Sequence, residues 1–594
     1  RFTDPSVKID IQLGRCESLC NTLSSIPPGP WCRKIHHLDL SRCGIQHDEA
    51  KQLTKVLLEC TNLSVLNLRQ NEIGSKGGAT ALFKVLQRCK RLKHLDVYGN
   101  SIGNAGAKLL AKAIPHLPLL THLDIGWNKI SSTGMAVLAA EMSKLSDSEG
   151  VTGNSSSIET LHVQENDLRD EGIQVLASAI PFLLKLQHIN VGWNYLSSEG
   201  LNAMISALLE QEDNRRKAGL TTTPGLRMLN MNENQLRGAG KLCELVEKCR
   251  DLEELSLGWN NLGDEGLAKL AVSLRMRHEA VQRGVADGWR PTVALCTLDL
   301  RSNYLSANGM ASFADELAWE VEEGNVVEGG AVAEAAGEGG EAAIVAAAPP
   351  PPHATQAVSQ ASQAGAAAGW VTEDAGGGVQ GVGIRVLKLA GNKYKSERTK
   401  NLGRLMRSLA STLVELDLGW VQMNDEGARD LSMSLRTCTK LETLNLCGNQ
   451  INKDGARHIS NALARCKDLK SLNMGGNALG AEGAEAMASM FSHCVKLEEF
   501  EVNWNMIGDA GAASFAKALA HAPSLKTLNL GWNKIGSEGA RALLDAIQAL
   551  LEAKPHRCNA FEKCTLSGNE AMGEEGGELK RRFPLLVEVA ALAE

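Results

Sequence analysis

LVELDLGWVQMNDEGARDLSMSLRTCTK (residues 413–440), LETLNLCGNQINKDGARHISNALARCKD (441–468), LKSLNMGGNALGAEGAEAMASMFSHCVK (469–496), LEEFEVNWNMIGDAGAASFAKALAHAPS (497–524) and LKTLNLGWNKIGSEGARALLDA (525–546) follow one another without a gap, each opening 28 residues after the last. Every unit begins Leu-x-x-Leu-x-Leu-x-x-Asn, with Phe, Val or Met standing for some Leu and Val421 for the first Asn. Each then runs through Ile-Gly-x-x-Gly-Ala, or a close variant, into an Ala- and Leu-rich stretch. A fixed period of this size marks an array of stacked repeats.

In the unit at 441, Leu444 and Leu446 are two apart, so a strand turns both to one face and Thr443, Asn445 and Cys447 to the other. Asn449 falls where the chain leaves the strand. Its side-chain amide can satisfy backbone groups there, and stacked units then carry an asparagine ladder. Gly455 and Ala456 open a predicted helix whose apolar residues Ile459, Ala462 and Leu463 have i, i+3, i+4 spacing and pack back on the strand. One unit cannot bury its own apolar face, so the repeats must stack and join their strands into one parallel sheet. Strands stack ~4.8 Å apart and helices ~8 to 10 Å, so the expected fold is an α/β solenoid, a horseshoe with the sheet inside and the helices outside.

Outward from this stretch, full repeats open at Ile35, Leu63, Leu92, Leu120, Ile158, Leu186, Leu226, Leu252 and Leu295, and again at Ile384, Leu413, Leu441, Leu469, Leu497, Leu525 and Phe561. The expected organisation is an N-terminal cap (1–34) with a short helix over Ile11 to Leu23, repeats 1–9 (35–323), a disordered Ala/Gly/Pro-rich acidic insertion (324–383), repeats 10–16 (384–577) and a C-terminal cap (578–594). The ladder continues through Asn71, Asn100, Asn128, Asn166, Asn194, Asn234, Asn260 and Asn303, with Cys43 in its place in the first repeat. Three longer spacings place LSDSEGVTGNSSS, QEDNRRKAGLTTTP and RMRHEAVQRGVADGWRPTV between a helix and the next strand, all on the rim where strands begin.

The 43% hydrophobic and 4% aromatic content agrees with a core of Leu, Ile and Ala. There is no apolar run of ~18 residues and no basic-then-apolar N-terminus, so the expectation is a soluble cytoplasmic chain. A leader ahead of Arg1 stays open, because Arg1 is not a Met. Cys60, Cys89, Cys249, Cys438, Cys466 and Cys494 share one repeat position, and neighbours in that column sit ~8 to 10 Å apart, too far for a disulfide. They read as small buried fillers in a reducing compartment. Eleven acidic residues and no Lys or Arg fall between Ser302 and Ile384, which leaves 62 basic against 58 acidic residues elsewhere and no nucleic-acid footprint.

No phosphate-loop, zinc-protease, nucleophile-elbow or paired C-x-x-C motif occurs, so neither a cofactor nor a catalytic centre is expected. On the inner face, His37-x-Asp39, His94-x-Asp96 and His122-x-Asp124 put an imidazole and a carboxylate on one side of each strand, and zinc uses such ligands. The reading preferred is a hydrogen-bonded ladder, because Asp or Asn fills the second position in most repeats whatever its neighbour. His94, Asp96, His122 and Asp124 in adjacent repeats remain candidates for contact with a partner. Trp127, Trp193, Trp259, Trp420, Trp504 and Trp532 each sit one residue before the ladder position, and five of them follow a Gly that leaves room for an indole on the inner face. Two readings stand: a row of aromatic anchors for a partner, or indoles that pack on the neighbouring repeat.

The repeating pattern, over about residues 35 to 577, resembles the ribonuclease-inhibitor-like class of leucine-rich repeats found in NOD-like receptors. The chain is almost all solenoid and supplies a long curved surface, so the expectation is a non-enzymatic scaffold that binds a protein through its concave face or rim, without nucleic acid, membrane or small-molecule substrate. Analogy with other long repeat chains adds a place in a large cytoskeletal or ciliary assembly. The alternatives are a GTPase activator resembling those of Ran, which use similar repeats, and a ribonuclease-inhibitor-like inhibitor.

Overall fold

In the computed structural model, which describes residues 9–12, 29–75, 77–144, 157–220, 223–282, 293–318, 383–393, 400–552, 561–569, 572–584 and 587–588, each repeat contributes one short strand and one helix. The strands form a single open sheet of 18, parallel throughout and hydrogen-bonded in chain order. The register is uniform: Leu444 lies opposite Leu416 on one side and Leu472 on the other. These central leucines and the helix residues Ile459, Ala462 and Leu463 are buried, so the core is the layer between sheet and helices. Repeats on both sides of 319–382 belong to one packed unit. Thr297–Asp299 pairs directly with Val386–Lys388, so the solenoid runs on past the insertion. The reading of 324–383 as disordered lies outside the described residues, apart from Gly383.

The asparagine ladder is the chief tie between repeats. Asn449 is fully buried, and its Nδ2 donates to the carbonyls of Leu446 (3.1 Å) in its own repeat and Leu418 (2.7 Å) in the one before. Its Oδ1 accepts the N–H groups of Val421 (3.1 Å) and Met423 (3.2 Å), which would otherwise be orphaned where the previous repeat turns. Buried amides at Asn71, Asn100, Asn128, Asn166, Asn194, Asn234, Asn260, Asn303, Asn392, Asn477, Asn505, Asn533 and Asn569 continue the column.

A second tie joins the helices. The Asp425 carboxylate at the start of helix Asn424–Leu435 accepts from Asn452 N–H (2.8 Å) and Gly455 N–H (3.0 Å), and so caps the next helix, Lys453–Leu463. Asp170, Asp264 and Asp509 do the same for their successors. Glycine at the third helical position is required here. A Cβ on Gly455 would fall 2.7 Å from Ile451 and closer still to the Asp425 carboxylate. The column cysteines are buried and free, with Cys466 and Cys494 Sγ 3.4 and 3.3 Å from carbonyls at the end of the previous repeat's helix, Leu435 and Leu463. Burial pushes their thiols up to about 12 and about 11.

Three expectations need correction. Ile11 and Gln12, expected in a helix over Ile11 to Leu23, belong to strand Ile9–Gln12, which covers the sheet edge beside Ile35–Asp39; residues 13–28 lie outside the described residues. Two of the three inserted pieces begin as helix rather than loop, since Ser198–Lys217 and Gly263–Gln282 run seven to eight residues into them. The reason is a buried guanidinium on each extension. Arg277 donates to the carbonyls of Val246, Cys249, Arg250, Leu252 and Val293, and Arg215 to those of Leu184 and Thr223, which satisfies the loop that precedes a strand. LSDSEGVTGNSSS lies outside the described residues save Ser157. The cap boundary at 578 falls inside helix Gly573–Arg582, and Val587–Glu588 adds the last strand.

Two measurements check this architecture. Replacing 324–383 by a short Gly/Ser bridge should leave the far-ultraviolet spectrum per repeat and the cooperative melt intact; loss of folding would mean the insertion is part of the core. Asn449→Ala should cost about 3 kcal/mol, because it strands several buried backbone groups, against about 1 kcal/mol for the exposed cap substitution Asn452→Ala. Equal effects in denaturant titrations would refute the ladder as the chief tie.

Candidate partner-binding rim

The residue before the ladder position lies where the chain must swing off the strand. Its φ is positive in every repeat, from 48° at Ser302 to 77° at Gly568. The N–H of this residue donates to a carbonyl of the next repeat, as Trp193 does to Asn232 (2.9 Å) and Trp259 to Arg301 (2.6 Å), which holds the column in register. Glycine adopts this left-handed conformation freely and occupies it at Gly99, Gly391, Gly448, Gly476 and Gly568. A side chain there costs about 1 to 2 kcal/mol. Yet six of these positions are Trp127, Trp193, Trp259, Trp420, Trp504 and Trp532, with φ between 49° and 58°.

The indoles are not core residues, for they are 39% to 54% exposed. Nor do they fill the room left by the glycine before them. A Cβ on Gly126 would fall 2.7 Å from Tyr98 and Gln164, and one on Gly419 2.9 Å from Cys447, so inner-face side chains of adjacent repeats already take that space. Instead Trp127 lies against Gly99, Trp420 against Gly448 and Trp532 against Gly568, each the left-handed residue of an adjacent repeat. Trp504 stacks on Trp532 with ring centroids 4.5 Å apart and planes within 6°. Trp193 and Trp259 have no stacked ring partner among the described residues. Inspection of the Trp column alone missed the residues that alternate with it in the first half: Trp127, Glu165, Trp193, Glu233 and Trp259 occupy the same backbone position in five consecutive repeats.

On the concave face the strands bring His94 directly opposite His122, and the rings stack at 5.3 Å. The carboxylates face other duties. Asp96 and Asp124 each accept the N–H two residues on (Tyr98 and Gly126, both 2.9 Å), the same turn that Asp39, Asn190 and Asn445 make in their repeats. That turn explains why Asp or Asn recurs there. The remaining oxygens face Arg69, 3.9 Å from Asp96 and 3.5 Å from Asp124, while His162 Nδ1 lies 3.6 Å from Asp124. The Arg69 guanidinium also sits 3.7 Å above the Tyr98 ring, and Tyr98 donates to the Glu165 carboxylate. His37 stands apart, since its register partner is Val65. Among the described residues no three His, Cys, Asp or Glu side chains are placed to hold one metal ion.

Burial dominates the titration of this face. It lowers His94 and His122, with the neighbouring imidazole adding to the effect on His94, and takes His188 down to about 4 with help from Arg227. Burial, then the charge of Asp124, raises Asp96. A neutral buried imidazole contributes stability that is present above its ordinary value of 6.5 and lost as pH falls through the folded value. Asp96 acts in the opposite sense, losing its contribution as pH rises through its elevated folded value. His188→Asn removes the imidazole's share, so between pH ~7 and ~4.5 the melting midpoint of the variant should fall less, or rise more, than that of the parent. Identical pH slopes for the two proteins would contradict the assignment.

Comparison with known proteins agrees with this geometry. The family described as Leucine Rich repeat matches ten segments: 59–80, 88–111, 116–139, 154–177, 248–271, 410–432, 437–460, 465–488, 493–516 and 521–544. The mouse NACHT, LRR and PYD domains-containing protein 14 is 26% identical over 275 residues, 46% of this chain and 22% of the relative. The ribonuclease inhibitor of Sus scrofa is 22% identical over 41% of this chain and 50% of its own length. This chain thus spans half or less of the curated relatives it matches. Among solved structures, an internalin from Listeria monocytogenes is similar with a TM-score of 0.33 and 16% identity, covering 82% of this chain and 86% of that one. With ten matched segments and a parallel sheet lined by an asparagine ladder, the chain carries leucine-rich repeats, and these relatives are consistent with a likeness to the ribonuclease-inhibitor-like class.

Proposed function

We propose that this solenoid is a non-enzymatic scaffold that holds a protein partner along the rim where the strands end. The observation that carries the reading is the tryptophan column: six large aromatic side chains, half-exposed, at a backbone position that favours glycine. Strained conformations and exposed aromatic residues concentrate where proteins bind. His94 and His122, half-buried on the concave face, extend that surface in this reading, while Asp96 and Asp124 are held by their turns and by Arg69. The name of the pig relative, ribonuclease inhibitor, fits a binding role, and the cytoplasmic, cytoskeletal or ciliary setting rests on analogy with other long repeat chains. No helix among the described residues is long and apolar enough to cross a membrane.

Substitution to glycine separates anchoring from folding, because five repeats already carry glycine at this position. Trp193→Gly should keep the folding stability within about 1 kcal/mol of the parent, since lost packing is offset by relief of the left-handed strain. The same change should abolish stoichiometric retention of the partner that co-purifies from native extract. A large fall in the melting midpoint, or undiminished retention, would sink the anchor reading. Accelerated hydrolysis in a panel of small GTPases would instead favour the activator alternative.

A further inference from the structure

Trp193, Glu233 and Trp259 occupy the same position in three successive repeats, with φ of 56°, 55° and 56°. Each N–H is tied to the next repeat, Glu233 to Gly258 at 2.9 Å, so the three side chains leave one backbone column in fixed order: indole, carboxylate, indole. Strands stack ~4.8 Å apart, which puts the two indole-bearing backbones ~10 Å apart with the carboxylate midway. The carboxylate-bearing backbone thus stands between two exposed indoles, 54% and 48% accessible, whose faces can attract a cation paired with it.

The carboxylate is ready for one. Glu165, the other glutamate of the column, accepts a hydrogen bond from Tyr98, but the Glu233 side chain makes no hydrogen bond or ion pair among the described residues. The nearest cation is already taken, because Arg301 reaches both oxygens of Asp299 through Nε (3.0 Å) and Nη2 (2.7 Å). Burial, eased by Arg301 and reinforced by Asp299, leaves the Glu233 carboxyl raised to about 7, the condition of an acid whose charge lacks compensation. The chemistry has a counterpart inside the molecule, where Arg69 lies over the Tyr98 ring with Asp96 and Asp124 alongside.

We infer that the slot formed by Trp193, Glu233 and Trp259 receives the guanidinium or ammonium group of a basic segment on the protein partner. The assignment rests on the scaffold reading and adds the chemistry of what is bound. A neutral or acidic side chain would leave the half-buried carboxylate unpaired, so the slot selects for positive charge.

Fluorescence anisotropy of the full chain with a labelled peptide of alternating Arg and Gly tests this. The control peptide carries citrulline, which keeps the shape of Arg without its charge. The arginine peptide should bind and the citrulline peptide should not. Glu233→Gln, Trp193→Gly and Trp259→Gly should each weaken binding at least ~10-fold, while Glu171→Gln, the same charge change on an exposed helix position, should stay within ~2-fold. Equal losses at Glu233 and Glu171, or equal binding of the two peptides, would overturn the slot, since either result reduces the effect to net charge or shape. If the arginine peptide fails to bind while the native partner is still lost on Trp193→Gly, the slot falls and the scaffold reading stands. If both fail, the rim itself is not the binding surface.

Discussion

A single buried side-chain amide, repeated down the stack, sets the terms for the rest of this protein. Each ladder asparagine is bonded to two repeats at once: Asn477 Oδ1 accepts from Asn449 and Ile451 of the previous repeat, and its Nδ2 donates to the carbonyls of Leu446 and Met474. The amide can reach those groups only if the chain turns sharply off the strand, and the turn is made by a left-handed residue immediately before it. The conformation that singles out the rim column is thus imposed by the core. Cys43 can stand in the repeat at Ile35 because its own N–H is still held by Asn71. Val421 keeps its bond from Asn449 in the same way.

Much of this was legible because the repeat is written in residue types with one physical meaning each. A period of 28, leucines two apart and an asparagine at the strand exit admit one arrangement, and the ladder, the parallel register and the buried cysteines follow the pattern residue by residue. What the pattern did not disclose depends on contacts between repeats that share no motif. The helical extensions exist because Arg215 and Arg277 cap carbonyls of neighbouring loops, and within a charged surface-like stretch nothing marks those two arginines as buried. The strand at Ile9–Gln12 has no leucine signature, yet it pairs in parallel with Ile35–Asp39.

At the candidate site the tryptophan positions could be read directly, but the direction of the indoles could not. The glycine preceding five of them suggested a vacancy on the concave face. The vacancy is filled by Tyr98, Gln164 and Cys447 from adjacent repeats, and the indoles at Trp127, Trp420 and Trp532 turn along the rim onto glycines of the same column. The signal was present in Gly99, Gly448 and Gly568, once the column is recognised as left-handed. The histidine–aspartate pairs show the converse: the carboxylates serve the turns, which is why their recurrence was independent of the histidines beside them.

The central claim is that the exposed indoles are held out for a partner. Hydroxyl-radical footprinting with residue-level mass spectrometry, on the chain alone and on the co-purified complex, tests it most directly. The account predicts that Trp193 and Trp259 oxidise readily in the free chain and are protected in the complex, while Met433 on the helical side, 57% exposed, reacts equally in both. Equal oxidation of the indoles in the two states, or protection centred on Met433, would contradict it.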